Sequence, residues 1–409
     1  MTAHFNFVSG KLRYAWEFIS SSGNNHITNQ GRIVPKFFLS PSFSAAGAAL
    51  KLVVGSKFQD NYRGAVFIYD ADGTNQIKVS SSDTSTFDEF SLSVAIGNSK
   101  IAAGMPKSDD NGSSSGSAFI YDLDGTNEVK ITPSDAAASD EFGHSVAIGN
   151  SKVAIGARKE GTGGAVYVYN LDGTGEVKIT PSDTASSDDF GSAVAVGNSK
   201  VYVGAVGDDD NGSTSGSVYI YNLDGTGEVK LTPSDGRSFA RFGHSLAFGH
   251  DKIVVGAYTD DPAGDPPSGE SVYVYDPDGT NELKIRSSDI ASSDDFGHAV
   301  AIGSNKIVVG ALTDDDGASN TGSVYVYNLD GTGEVKITAS DAAQDNKFGA
   351  AVAVGGNKIY VGAAFGDDTG TTNNSGSLYI YDLDGTGEVK IPNPEGDGNA
   401  RFGASMGLG

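Results

Sequence analysis

The chain of 409 residues contains no cysteine. Disulfide bonds, thiol catalysis, zinc–thiolate sites and iron–sulfur clusters are therefore excluded. Cations are also scarce, because 28 Lys and Arg stand against 52 Asp and Glu, which gives a formal net charge of −24. Binding to nucleic acid or to an anionic membrane surface requires a cationic face, so this charge argues against both partners.

Long apolar stretches are absent as well. No segment approaches the run of about 18 apolar residues that a membrane-spanning helix needs. The first 20 residues contain interrupted aromatics and no continuous apolar core, so no secretory signal is predicted. An exported surface protein normally carries such a signal, whereas a virion component released by lysis needs none.

What the chain does contain is a phrase of about 52 residues that recurs along most of its length. One copy begins at Phe142-Gly143, continues through Gly156-Ala157 and ends at Thr180. The phenylalanine that opens each copy is Phe90, Phe142, Phe190, Phe242, Phe296, Phe348 or Phe402. A fixed period of this length predicts an array of identical supersecondary units.

Each copy has the pattern of four short strands, which in the copy above are residues 145–148, 152–155, 165–169 and 176–180. These segments are rich in Val, Ile and Tyr and alternate with period two, and no helical periodicity interrupts them. Four-stranded antiparallel units repeated several times predict an all-β fold, the β-propeller, in which radial stacking protects the sheet edges.

The number of blades follows from counting strands. Complete second, third and fourth strands occur seven times, with second strands that begin near Leu52, Ile101, Val153, Val201, Ile253, Ile307 and Ile359. The first set lacks a convincing opening strand in residues 43–47, and residues 402–409 supply a spare one. We therefore predict a seven-bladed propeller over residues 43–409, closed by its C-terminal strand, with an N-terminal arm over residues 1–42.

The repeat resembles the FG-GAP repeat, the blade of the integrin α-subunit propeller and of many bacterial and phage proteins. Phe190-Gly191 matches the FG of that motif, and Gly204-Ala205 matches its GA. The acidic run 208–212 followed by 215–219 is typical of the prokaryotic branch. The resemblance covers residues 48–409, and it implies a binding or structural propeller of the type seen in marine phages and bacteria.

The integrin-type calcium loop is not present. That loop places several aspartates between the first and second strands, whereas the only carboxylate in any of these turns is Asp251. The Asp-Leu-Asp-Gly-Thr segments, such as 122–126 and 276–280, are predicted as hairpin turns with a left-handed glycine. No metal or other cofactor is expected. If calcium bound, Asp208 and Asp210 in an acidic loop would be its first ligands.

Catalysis is not predicted either. His144, His244 and His298 occupy one repeat position, and Ser93, Ser145 and Ser245 another, and residues repeated from blade to blade are structural by default. A hydrolase acting on glycans would need two carboxylates at a defined separation. A pair of this kind near the central channel is the alternative that stays open.

The two faces of the propeller should differ. The loops between second and third strands share one face with the loops that lead from blade to blade; we call this the loop face. It should be strongly acidic, since it collects residues 208–210 with Asp183, Asp188 and Asp189. Residues that break the repeat there are the predicted ligand-binding set, with neutral drift in exposed loops as the alternative: Lys57, Tyr62, Arg63, Arg158, Lys159, Arg241 and Arg401.

The N-terminal arm has the opposite charge, with four cations against Glu17. It also contains seven aromatic residues, too many for a solvated tail. The arm is therefore expected to dock on another protein subunit, with packing against the side of its own propeller as the alternative. The predicted docking residues are Arg13, Tyr14, Trp16, Phe18, Phe37 and Phe38.

These inferences combine into one functional hypothesis. The chain is expected to be a non-enzymatic structural or binding protein of a phage virion, in the tail, a fibre or the capsid surface, with a role in assembly or host attachment. Its ligand would be a host surface protein or glycan on the acidic face. The alternatives are a bacterial surface adhesin, located at the cell surface or outside the cell, and a glycan-active enzyme.

Overall fold

The computed structural model describes residues 2–8, 11–17, 50–97, 99–149, 151–197, 199–258, 270–289, 291, 293–316, 318–366 and 374–409. For the first two ranges only the backbone is described. The chain forms two compact units, Met1–Gly47 and Ala48–Gly409. No helix in the described part of the chain is long and apolar enough to cross a membrane.

The first unit contains a two-stranded antiparallel sheet of β1 (Thr2–Val8) and β2 (Lys11–Glu17). In its register Phe5 lies opposite Tyr14, and Ala3 lies opposite Trp16. Three of the predicted docking residues, Arg13, Tyr14 and Trp16, are thus on β2. Phe18, Phe37 and Phe38 lie outside the described residues.

The second unit consists of seven four-stranded antiparallel sheets, which confirms the predicted seven-bladed propeller. Blade 1 contains β3 (Lys51–Ser56), β4 (Ala65–Asp70), β5 (Ile77–Val79) and β30 (Phe402–Leu408). Blade 2 contains β6 (Val94–Ile96), β7 (Lys100–Met105), β8 (Ser117–Asp122) and β9 (Val129–Ile131). Blade 3 contains β10 (Phe142–Ile148), β11 (Lys152–Ala157), β12 (Ala165–Asn170) and β13 (Val177–Ile179).

The remaining blades repeat this order. Blade 4 contains β14 (Phe190–Val196), β15 (Lys200–Ala205), β16 (Ser217–Asn222) and β17 (Val229–Leu231). Blade 5 contains β18 (Ser245–Gly249), β19 (Lys252–Ala257), β20 (Ser271–Tyr275) and β21 (Leu283–Ile285). Blade 6 contains β22 (Phe296–Gly303), β23 (Lys306–Ala311), β24 (Ser323–Asn328) and β25 (Val335–Ile337). Blade 7 contains β26 (Phe348–Gly355), β27 (Lys358–Ala363), β28 (Ser377–Asp382) and β29 (Val389–Pro392).

The ring closes through the C-terminal strand, as predicted. β30 pairs antiparallel with β3, so that Leu408 lies opposite Leu52 and Phe402 lies opposite Ser56. Phe402 is fully buried, and its ring meets that of Phe67 edge to face at 5.4 Å. Blade 1 therefore combines three strands from the start of the propeller with one from its end.

The FG and GA glycines of the repeat meet each other across neighbouring blades. A Cβ on Gly204 of blade 4 would lie 2.0 Å from the carbonyl oxygen of Gly243 in blade 5, and five further interfaces have the same contact. The FG glycine also has a positive φ, which is 92° at Gly243. Only glycine satisfies both demands without strain, so the motif is explained by the packing of blade on blade.

The Asp-Leu-Asp-Gly-Thr segments form the predicted turns. In the copy 122–126, Gly125 has a φ of 79° and donates its N–H to the carbonyl oxygen of Asp122. The Asp124 carboxylate accepts hydrogen bonds from both the N–H and the hydroxyl of Thr126. These aspartates serve the turn itself. Between β3 and β4 lies one further turn, α1 (Gln59–Tyr62), whose inner residues Asp60 and Asn61 have positive φ.

Candidate functional site

Many carboxylates of the loop face form ion pairs between neighbouring blades. One lysine on the fourth strand of every blade pairs with a carboxylate in the loop that leaves the preceding blade. The Nζ–carboxylate distance is 2.7 Å for Lys230–Asp183 and for Lys336–Asp289. The full set of pairs is Lys78–Glu395, Lys130–Asp83, Lys178–Asp135, Lys230–Asp183, Lys284–Asp235, Lys336–Asp289 and Lys390–Asp341.

Tyrosines reinforce these pairs in blades 3 to 7. In blade 4 the ammonium of Lys230 lies 5.2 Å from the ring centroid of Tyr219, whose hydroxyl donates to Asp183 at 2.8 Å. Blades 3, 5, 6 and 7 have the same arrangement. The face is acidic by composition, but these particular charges hold the ring together and are matched by lysines.

The predicted metal candidates lie inside one such junction. Asp208 and Asp210 converge with Asp183, and all three carboxylates contact the Lys230 ammonium, at 2.7, 2.5 and 2.7 Å respectively. Although burial acts to lower the pKa of Lys230, its hydrogen bonds to these aspartates raise that pKa overall. The lysine therefore occupies the place that a divalent cation would take.

This arrangement predicts how the protein responds to calcium. The wild-type melting temperature should be the same in calcium and in chelator, because an ammonium already neutralises the carboxylates. In chelator, Lys230→Ala should lower the free energy of unfolding by about 3 kcal/mol, since it leaves the buried Asp208 without its cation. Calcium should restore part of that loss through binding to the native state. Thermal melts of both proteins with and without calcium make the comparison.

Lys284→Ala is the matched control, because the described residues place only the Asp235 carboxylate at Lys284. A lone carboxylate does not hold calcium, so this variant should lose stability without regaining it in calcium. A large drop of the wild-type melting temperature in chelator would contradict the prediction.

A different set of residues breaks the sevenfold repetition at the centre of the loop face. The residue that directly precedes each repeat phenylalanine has a positive φ; we call these seven positions the inner rim. Four are acidic and three are basic, and the full set is Glu89, Glu141, Asp189, Arg241, Asp295, Lys347 and Arg401. Because the backbone at this position is the same in every blade, its side chain is free to vary without disturbing the ring.

Two of the predicted ligand-binding residues line a groove of about 500 Å³ that spans blades 3, 4 and 5. Arg158 lies at one end, where its Nε donates to Glu141 at 2.7 Å. Arg241 lies at the other end, donates to the Tyr258 hydroxyl at 3.1 Å and has no ion pair with any described carboxylate. Ser187, Ser213 and Thr214 contribute further polar groups to the walls. Lys159 stands next to this groove and pairs with Asp189.

Histidines join this groove to the central channel. The ring of His244 lies 4.1 Å from Tyr258 and 5.2 Å from His298. Burial lowers the pKa of all three repeat histidines, to about 3 for His144 and about 4 for His298. They are therefore neutral imidazoles at physiological pH. The same position is leucine at Leu92, serine at Ser192 and alanine at Ala350 and Ala404, so three of the seven blades present a histidine to the channel.

The other predicted ligand-binding residues form a second group at blade 1. The Arg401 guanidinium lies 5.1 Å from the Phe58 ring centroid, and the Lys57 ammonium lies 5.0 Å from the same ring. Tyr62 packs against Phe58 at 5.6 Å. Arg63 follows Tyr62 and is exposed. The structure thus divides the seven predicted residues between two places on the loop face.

Several residues of these groups were not predicted from the sequence: Phe58, Phe87, Tyr258, Lys347 and Phe365. Among them, Phe87 contacts Tyr62, and Phe365 contacts both Lys347 and Arg401. Lys347 was detectable, because it is basic at an inner-rim position that is acidic in four other blades. The aromatic residues were not, since their position relative to the cations depends on how loops from different blades meet.

Glu270 stands where every other blade has a glycine before its third strand, and it is fully buried. Its Oε2 accepts the Phe296 N–H at 2.9 Å, while its Oε1 has no hydrogen-bond partner among the described residues. Burial raises its pKa from 4.5 to about 7. A carboxylic acid with this pKa suits acid catalysis, but a fully buried group bonded to the main chain has a structural role.

The Glu270 pKa predicts an unusual pH dependence. Because the folded-state pKa exceeds the unfolded one, the stability that Glu270 contributes is complete below pH 4.5 and is lost as the pH rises through about 7. Glu270→Gln keeps an acceptor for Phe296 and removes the titration. The free energy of unfolding of the variant should exceed that of the wild type by about 2 kcal/mol at pH 8 and by little at pH 5. Chemical denaturation at both pH values tests this, and a pH-independent difference would refute it.

The fold and these sites define a class: a repeat propeller whose blades are joined by recurring contacts and whose irregular residues lie on one face. The chain belongs to the FG-GAP repeat family. The family model, FG-GAP repeat, matches residues 74–121, 126–169, 174–221, 226–275, 280–327 and 332–381. The parts of blade 1 near residue 50 and after residue 400 lie outside these six matches, because that blade is divided between both ends of the propeller.

One solved structure supports the fold. The β-propeller domain of the Trilobed protease from Pyrococcus furiosus is 13% identical with a TM-score of 0.53, over 84% of this chain and 94% of that one. That domain is described as having an open velcro topology, whereas blade 1 here is closed by β30. TolB from Acinetobacter baumannii is 14% identical with a TM-score of 0.46, over 88% of this chain and 67% of its own. No curated protein matches the chain.

Proposed function

We propose that this protein is a non-enzymatic binding protein that presents the loop face of its propeller to an external ligand. One observation carries the proposal: three residues that depart from the sevenfold repetition, Arg158, Arg241 and Tyr258, meet beside His244 in a groove of about 500 Å³ at the channel mouth. Packing explains the repeated residues of the blades. Packing does not explain the irregular residues of the groove, and irregular polar groups that converge on a concave surface are typical of ligand sites.

The chemistry of the groove favours a polar ligand with a negative group. Arg241 is exposed, carries a positive charge in a protein of net charge −24, and is oriented by the hydroxyl of Tyr258. Serine and threonine side chains supply further hydrogen-bond partners along the groove. The neutral histidines offer ring faces and imidazole nitrogens without adding charge. These properties suit recognition better than bond cleavage, since of the two carboxylates that line the groove, Asp189 and Asp209, Asp189 is held in an ion pair with Lys159.

The finer proposal concerns where this binding takes place. We place the protein in a phage virion, in a tail, a fibre or the capsid surface, with a role in assembly or host attachment. The separate N-terminal unit supports this, since a segment rich in aromatic residues and outside the propeller suits attachment to another subunit. A bacterial cell-surface adhesin is the alternative, and the same propeller would serve it.

Fractionation of the source culture distinguishes a virion component from a cell-surface adhesin. Peptides from this chain should co-purify with intact virions through density-gradient centrifugation, in constant ratio to a major capsid protein. Their recovery in the cell-envelope fraction, with none in the virions, would replace the virion proposal by the adhesin. Binding of the labelled full chain to host cells should fall when Arg241→Ala and Tyr258→Ala are combined.

A further inference from the structure

A row of aromatic rings lies on the loop face where the loops of blades 1 and 2 meet. The ring centroids of Phe58 and Tyr62 are 5.6 Å apart, and those of Tyr62 and Phe87 are 5.0 Å apart. Phe87 nevertheless exposes 61% of its surface. The row therefore ends in an uncovered ring, which faces solvent at the edge of the inner rim.

The backbone of this aromatic row is strained. Phe87 has a φ of 73° and Tyr62 a φ of 67°, and a bulky residue in the left-handed region is strained. The N–H of Phe87 donates to the carbonyl oxygen of Tyr62 at 2.8 Å, which fixes the two loops together. In most other blades the position of Phe87 holds a polar residue at a similar φ: Ser139, Ser187, Ser293, Asp345 and Asn399. The fold thus needs the conformation but not the phenylalanine.

Cations accompany the rings. Arg401 lies between Phe58 and Phe365, with its guanidinium 5.1 and 4.4 Å from the two ring centroids. Lys57 lies over Phe58, and Lys347 lies 4.7 Å from the Phe365 centroid. None of these three cations has an ion pair with a described carboxylate, although most lysines on this face do. Burial lowers the pKa of both Lys57 and Arg401, while the charge of Glu89 acts to raise them.

We propose that the aromatic row Phe58, Tyr62 and Phe87, with Lys57, Lys347 and Arg401, binds an acidic saccharide. The inference rests on the proposed function, since it names the chemical class of a ligand on the same loop face. Its site is nevertheless separate from the groove of Arg241.

The ligand class follows from the arrangement of the groups. The rings form a row and do not enclose a pocket, so a ligand must bring flat C–H faces in sequence. A pyranose chain has such faces, and a carboxylate or sulfate on each sugar reaches guanidinium and ammonium groups beside the rings. Single-stranded nucleic acid also stacks on aromatic rings, so oligothymidylate is the competing ligand that the test includes.

The test uses the full chain and two probes, a short oligogalacturonate and a neutral maltooligosaccharide of the same length, with binding measured by titration calorimetry. The wild type should bind the acidic probe in preference, and more weakly as salt is added. Phe87→Ser introduces the residue that three other blades carry and should weaken binding about tenfold or more. Arg401→Gln should weaken it by a similar factor.

Phe239→Ser is the matched control for Phe87→Ser. Phe239 occupies the same repeat position in blade 5, with a φ of 65° and an exposure of 45%. Its substitution should leave binding of the acidic probe unchanged. Thermal melts should show that neither phenylalanine is needed for the fold, since both changes remove a strained, exposed ring.

Four outcomes would overturn the inference. They are equal affinity for both probes, no effect of Phe87→Ser, preferential binding of oligothymidylate, and self-association of the chain that Phe87→Ser abolishes. Loss of acidic-saccharide binding in Arg241→Ala, but not in Phe87→Ser, would refute the aromatic row and leave the proposed function standing. The virion fractionation decides the proposed function independently.

Discussion

Removal of residues 400–409 should lower the melting temperature by on the order of 10 °C, which corresponds to more than about 5 kcal/mol. The change deletes β30, including the fully buried Phe402, and the main-chain bonds between Lys51 and Gly409. It also exposes the edge of β3, which invites aggregation, and the face of blade 7 against which β30 packs. Differential scanning calorimetry and light scattering measure the two effects.

Two companion experiments identify the cause of that loss. Phe402→Ala in the full chain should produce a smaller drop, because it creates a cavity but leaves the ring closed. A synthetic peptide of residues 400–409 should restore part of the stability of the truncated protein by re-forming the β3 pairing. An unchanged melting temperature after truncation would mean that β30 does not close the ring in solution.

Deletion of residues 1–42 should abolish incorporation into the assembly while leaving the propeller folded. All seven blades are built from Lys51 and the residues that follow it, and the compact unit of the propeller begins at Ala48. The deleted segment carries the predicted docking residues Arg13, Tyr14, Trp16, Phe18, Phe37 and Phe38. Its loss removes the aromatic groups that would supply most of the affinity for another subunit. The measurement is the amount of shortened protein in virions assembled with it.

Trp16→Ala in the full chain is the point-variant counterpart and should reduce incorporation in the same direction. The shortened propeller should keep the wild-type melting temperature and remain monodisperse. Normal incorporation of the shortened protein would refute the docking role. Failure of the shortened protein to fold would show instead that the segment belongs to the core of its own propeller.

The architecture was predictable because the repeat encodes it many times over. The spacing of Phe142, Phe190 and Phe242 defines the blades, and the spare strand at Phe402 defines the closure. The turn prediction for the Asp-Gly segments held for the same reason, since the hydrogen bonds that close a turn such as 122–127 join residues at most five positions apart. Such local and periodic signals survive in a single sequence.

The candidate sites were only partly predictable. Arg241 and Arg401 stood out because they replace an acid at a repeated position, and Lys347 follows the same rule. The expectation of a strongly acidic face overlooked Lys230, whose three aspartates come from loops of two blades. Likewise, the contact of Tyr62 with Phe87 joins loops of successive blades. Contacts between loops of different blades have no period in the sequence, so only the structure reveals them.

The way β3 enters the ring determines how the propeller responds to mechanical force. Lys51 and Gly409 are hydrogen-bonded at one end of the β3–β30 pair, while Ser56 and Phe402 lie at the loop-face end. Tension between residues 50 and 409 would peel this pair apart one bond at a time. Tension that enters at residue 50 and leaves through the loop face instead runs along β3, which is held on both sides by β4 and β30. A propeller tethered from its N-terminal side alone therefore loads the β3–β30 pair in shear along its length and does not peel it open from one end.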